Sequence, residues 1–147
     1  MKPQQYLIFF LLIGAVIVIS ATFQLHAEPQ TELLITQMEI KFNGPNATAN
    51  IEYDVGFLTQ MYVLFFGSHN LDPYLEDFLY GFEEFRLVSV RGTTATVELT
   101  NVSRHAGQYY LHDMHPLGSP VSKLILVYPD NKTLTFDNTS ETPNTFY

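Results

Sequence analysis

The chain has 147 residues, 7 Lys+Arg against 15 Asp+Glu, a formal net charge of −8, and neither cysteine nor tryptophan. That acidic balance excludes nucleic-acid binding, which needs Lys and Arg to neutralise phosphates. The missing thiol excludes disulfides, Cys-ligated zinc, a cysteine nucleophile and lipidation on Cys.

Tyr6 to Phe23, YLIFFLLIGAVIVISATF, is an apolar run without a charge. At about 1.5 Å per residue it spans most of a ~30 Å hydrocarbon core as a helix, a length that a soluble core helix does not need. Residues 1–27 are therefore expected to be a signal anchor, with cleavage as the alternative. Leu25-His26-Ala27 and Ile19-Ser20-Ala21 are mediocre small-residue cleavage sites, and the run is long for a signal-peptide core. Lys2 precedes the run and Glu28 and Glu32 follow it, so the positive-inside pattern puts the amino terminus inside and the rest outside. The lipid bilayer is thus an expected partner, and the C-terminal domain is expected at the cell surface, or secreted if the segment is cleaved.

Residues 28–139 are expected to form one external domain, which can bury about two-thirds of its unfolded surface, and 140–147 a tail that is loose apart from its aromatic end. In Leu34 to Phe42 the even positions Leu34, Met38, Ile40 and Phe42 are apolar and Gln37, Glu39 and Lys41 polar, the pattern of a half-buried strand. Asn43-Gly44-Pro45-Asn46 breaks it, and Ala49, Ile51, Tyr53 and Val55 alternate with polar residues in a partner strand. Met61 to Phe66 is uninterruptedly apolar and reads as a central strand. Asp72 as N-cap, Pro73 at the first helical position, and Leu75, Phe78, Leu79 and Phe82 at i, i+3, i+4, i+7 predict a short amphipathic helix. Phe85 to Val90, Thr93 to Thr100, Gln108 to His112, Val121 to Tyr128 and Thr133 to Phe136 predict five more strands, with Ala95, Val97 and Leu99 turned inward.

Eight short strands with frequent turn signals and one helix in a crossover predict an immunoglobulin-like antiparallel β-sandwich behind a transmembrane helix. A helix packed on an antiparallel sheet is the α+β alternative. This order of parts is similar to that of the small archaeal stator proteins of the archaellum. The likeness covers layout and no motif, and it implies an ectodomain that holds surface-layer protein.

Eight Asn and twenty-one Ser/Thr would produce about one Asn-x-Ser/Thr by chance, yet Asn46, Asn101, Asn131 and Asn138 each begin one. All four are glycosylation candidates, although turns favour Asn, Ser and Thr for their own reasons.

Chemistry is sparse. His105, His112, Asp113 and His115 fall within eleven residues and carry ligands suited to Zn²⁺ or Cu²⁺. A strand sends His112 and Asp113 to opposite faces, however, so polar loop residues are the plainer reading. Ser68-His69 and Ser103-Arg104-His105 contain a nucleophile and base without the geometry of a triad. Glu76, Asp77, Glu83 and Glu84 lack calcium-loop spacing and read as a solvated helix face. Tyr62, Tyr74, Phe78, Tyr80, Phe82 and Phe85 crowd the helix, most as core and an exposed subset as a partner or carbohydrate platform. No cofactor motif is present.

The expected function is a non-enzymatic, membrane-anchored interaction or structural module that binds another surface protein, a surface polymer, or a second copy of itself through an exposed edge strand. A secreted metal- or carbohydrate-binding protein and an extracellular hydrolase are the alternatives.

Overall fold

A computed structural model describes residues 33–56 and 71–147. The expected membrane helix, the expected strand Met61 to Phe66, Tyr62 and Ser68-His69 all lie outside the described residues. Among the described residues no helix is long and apolar enough to cross a membrane.

Strand β1, Leu33–Asn43, and strand β2, Asn46–Val55, form the expected hairpin. Its two-residue loop, Gly44-Pro45, places Gly44 at φ 59°, and the Pro45 ring keeps the second position at negative φ, the pattern of a type II′ turn. The inward residues Met38, Ile40, Phe42, Ala49, Ile51, Tyr53 and Val55 are all buried. Leu34 departs from expectation: it is 57% exposed, and its neighbour Ile35 is buried instead. A bulge between Ile35 and Gln37 inserts one residue, which reverses the face of everything before it.

Helix α1, Asp72–Phe78, is the expected short amphipathic helix, with Leu75, Phe78, Leu79 and Phe82 buried. Its N-cap is Leu71 rather than Asp72, and no side chain caps it. Leu71 is itself buried in the core, so packing starts the first turn one residue before the Asp-Pro signal. The helix lies close against a long strand, β7, Pro116–Val127. A Cβ on Gly118 would collide with the Asp77 carbonyl oxygen and come within 2.9 Å of Phe78 Cα.

Strands β3, Glu84–Arg91, and β4, Thr94–Thr100, form a second hairpin, and Ala95, Val97 and Leu99 point inward as expected. Strand β8, Thr133–Glu141, pairs with β7. Six strands make one sheet in the order β3-β4-β2-β1-β7-β8. Every pairing in it is antiparallel except β1 with β7, so the sheet is mixed. A parallel pair needs a long crossover between its strands. Here more than seventy residues separate them, beyond the reach of local periodicity.

A second sheet forms around the expected strand at Gln108 to His112, joined by two short segments that the pattern did not show. Strands β5, Ser103–Ala106, β6, Tyr109–His112, and β9, Thr145–Phe146, align in the order β5-β6-β9. The expected loose tail is therefore the end of β8 followed by a strand. Its backbone is tied by Tyr147 N–H to the Tyr110 carbonyl, 3.0 Å, and Tyr110 N–H to the Tyr147 carbonyl, 2.8 Å. Most of the described chain is β-structure, with one short helix.

Candidate functional site

The three-stranded sheet has two dissimilar faces, and the residues that put them there are aromatic doublets. Tyr109-Tyr110 lie on β6, and Phe146-Tyr147 lie at the end of β9 and just past it, where the Tyr110–Tyr147 backbone bonds continue the pairing, so one ring of each pair goes to each side. The inner rings Tyr110 and Tyr147 pack over the β1–β2 end of the larger sheet. Tyr147 stacks on Phe42 at 4.7 Å between centroids and on Tyr110 at 5.9 Å, and Phe42 stacks on Tyr128 at 5.8 Å. The Tyr147 hydroxyl donates to the Gly44 carbonyl, 2.9 Å, and shares a hydrogen bond with Ser103 Oγ, 2.8 Å. Burial raises the Tyr147 phenol above its ordinary pKa.

His112 continues this inner layer, fully buried and 5.0 Å from the Phe42 ring. Its Nδ1–H donates to the Val102 carbonyl, 2.7 Å, which leaves Nε2 as an acceptor for the Thr142 hydroxyl, 3.1 Å. Thr142 Oγ1 in turn accepts from the His115 backbone N–H, 2.9 Å. Every polar atom of the His112 ring is thus satisfied in the neutral form. Burial pushes its pKa down to about 4, with the His115 ring, 5.2 Å away, acting in the same direction and the Val102 hydrogen bond opposing.

His115 donates from Nδ1 to the Gly81 carbonyl, 2.9 Å, and stacks on Phe82 at 4.7 Å. Of the four candidate ligands, only the rings of His112 and His115 are in contact, with centroids 5.2 Å apart. Asp113 is an exposed ion-pair partner of Arg104 at 3.2 Å, and His105 meets the Tyr110 ring edge-on at 5.2 Å. Among the described residues no group of three or more His, Asp or Glu side chains could hold a metal ion. The Ser103 hydroxyl is buried against Tyr147, while His105 is exposed.

The acidic group divides. Glu76 and Asp77 stay on the solvated face of α1, whereas Glu83 and Glu84 line a cavity of about 300 Å³ together with Asn101, Arg104, Asp113 and His115. Glu84 accepts from Asn101 Nδ2, 3.1 Å.

On the outer face Tyr109 is 57% and Phe146 72% exposed, and the two rings meet edge-on with centroids 6.2 Å apart. Phe146 pairs with Leu111, and Leu111 with Arg104. Reading the sequence passed over this surface, although two adjacent aromatics in a strand were a signal for it. The exposed aromatics near the helix are Tyr74 and Tyr80, while Phe78 and Phe82 are core.

All four sequon asparagines are exposed. Asn101, Asn131 and Asn138 have left-handed backbones, φ 55°, 63° and 50°. Asn46, Asn101 and Asn131 share one end of the six-stranded sheet, opposite the end at which Leu33 enters it, because β1 and β7 run in parallel and β2 returns beside β4. Asn138 lies in β8, an edge strand. The Asn101 backbone N–H donates to Asn46 Oδ1, 3.0 Å.

No protein family, curated protein or solved structure matches this chain.

Proposed function

We propose that the chain is a non-enzymatic interaction module with an immunoglobulin-like sandwich, anchored by residues 1–27 and displayed outside the cell, with carbohydrate on its sequons. The observation that carries the binding role is the Tyr109–Phe146 pair. The inner face of its sheet is packed, so the outer aromatics add nothing to the core and have solvent as their neighbour. Exposed aromatic surface of this kind is what interfaces use, since a ring offers large contact area at small cost in side-chain freedom. The apolar run at 6–23 and the charge asymmetry around it support the anchor. The exposed sequons and their clustering at the far end of the sheet support display and modification.

The test uses the absence of cysteine. In a Gln108→Cys variant, at the exposed β5–β6 turn, a membrane-impermeant maleimide labels the protein in intact cells, and the labelled protein remains with membranes after alkaline carbonate extraction. Labelling only after lysis would overturn the display. Release by carbonate, with an amino terminus near Glu28, would replace the anchor by a secreted form.

A further inference from the structure

We propose that the outer face of the three-stranded sheet and the cavity beside it together bind a neutral carbohydrate polymer, an inference that rests on reading the chain as a displayed interaction module. Strand alternation places Tyr109 and Leu111 on that face about 6.6 Å apart, with Phe146 across from Leu111 on β9. Arg104, across from Leu111 on the other side, reaches Asp113 in an ion pair, and both residues also line the cavity. Aromatic platform and polar cavity are therefore one continuous surface.

A sugar ring has an apolar C–H face and a rim of hydroxyls that both donate and accept. The C–H face covers an exposed aromatic ring, whose π-face is weakly negative. The hydroxyls need a mixed set of partners, and the cavity supplies one: carboxylate acceptors at Glu83, Glu84 and Asp113, and donors at the Arg104 guanidinium and the Thr100 hydroxyl. Its volume, about 300 Å³, is at the small end of ligand sites, so it takes a short part of a chain while neighbouring units run over the rings.

The charges around the cavity favour a neutral occupant. Three carboxylates face one guanidinium that is already paired, which disfavours an anionic polymer. A second copy would bring together two chains of net charge −8. A protein partner needs roughly 800 Å² on each side. The apolar part here is three side chains, and Leu34, Val88 and Leu134 are on the other sheet.

The experiment is affinity electrophoresis of the full chain in polyoxyethylene detergent, through native gels cast with mannan, dextran, a soluble β-glucan or hydroxyethylcellulose. At least one polysaccharide is expected to retard the protein. Tyr109→Ala and Phe146→Ala should each weaken that retardation about tenfold, Asp113→Asn should weaken it less, and Leu134→Ala should leave it unchanged. Circular dichroism of each variant checks the fold. No retardation in any of the four gels, or equal retardation of the parent and Tyr109→Ala, overturns the inference. Amine crosslinking in native membranes separates the two levels of the argument. An adduct lost in Tyr109→Ala, with no retardation in gels, keeps the interaction module and replaces the carbohydrate by a protein. No adduct and no retardation removes both.

Discussion

The two sheets solve different problems. The larger one buries the apolar residues of its inward face, where Met38, Ile40, Ile51, Val97 and Leu124 have no exposed surface, while Leu34, Val88 and Leu134 stand exposed singly on three different strands. The smaller one has aromatic residues on both faces, of which the fold uses only the inner set, Tyr110, His112 and Tyr147. Burial of a side chain stabilises the domain by about 1.5–3 kcal/mol, and an exposed ring contributes little of that. The difference teaches where to look for function: in apolar surface that stability does not require.

The largest effect is expected from truncating a buried residue of the larger sheet. Ile40→Ala, in the buried face of β1, should lower the unfolding free energy by 2–5 kcal/mol in urea titration, in the range of buried Ile-to-Ala changes, about 2–5. Similar stability of parent and variant would mean that β1 is not the centre of the core.

Acid should act on the smaller sheet through His112. Its folded pKa, about 4, lies below the ordinary 6.5, so the unfolded chain binds more protons between those values. This group's contribution is complete above about pH 6.5, decreases as pH falls towards 4, and changes no further below that. The loss is about 3 kcal/mol. Urea midpoints measured at several pH values check it. A slope that persists in His112→Phe would assign the effect elsewhere.

Thr142 joins the two ends of the small sheet's inner layer. Thr142→Val deprives His112 Nε2 of its donor and the His115 N–H of its acceptor. One buried and one half-buried group left without partners should cost about 1–3 kcal/mol. Thr142→Ser, which retains the hydroxyl, should recover most of this, and failure to recover it would point to the methyl group's packing.

The smallest effects on stability are expected on the outside. Lys132→Ala, in the β7–β8 turn, and Phe146→Ala should each leave the urea midpoint of the parent nearly unchanged. They should differ in binding, where only Phe146→Ala has an effect. A strongly destabilised Phe146→Ala would place that ring in the fold after all.

Local order was the legible part of this protein. Period-two alternation located β1, β2 and β4 and their inward residues, and 3.6-residue spacing located α1, because half-buried strands and helices print their burial directly on consecutive residues. Alternation failed at Leu34, where a single inserted residue reversed the face. It also missed β5, whose burial does not alternate, and β9, whose two residues are too few to show a period, although the strand between them, β6, was legible.

The amino-acid sequence by itself determined the apolar run at 6–23, the acidic charge, the sequons, and the strands with a periodic burial pattern. Only the tertiary structure decided the parallel pairing of β1 with β7, the gathering of Asn46, Asn101 and Asn131 at one end, the neutral state of His112, and which ring of each aromatic doublet faces solvent. Each of these depends on contacts between residues far apart in the chain: His112 with Thr142 at thirty residues, Tyr147 with Gly44 at one hundred and three. Pairings at such separations are selected by the collective packing of the core, which no local window of residues contains.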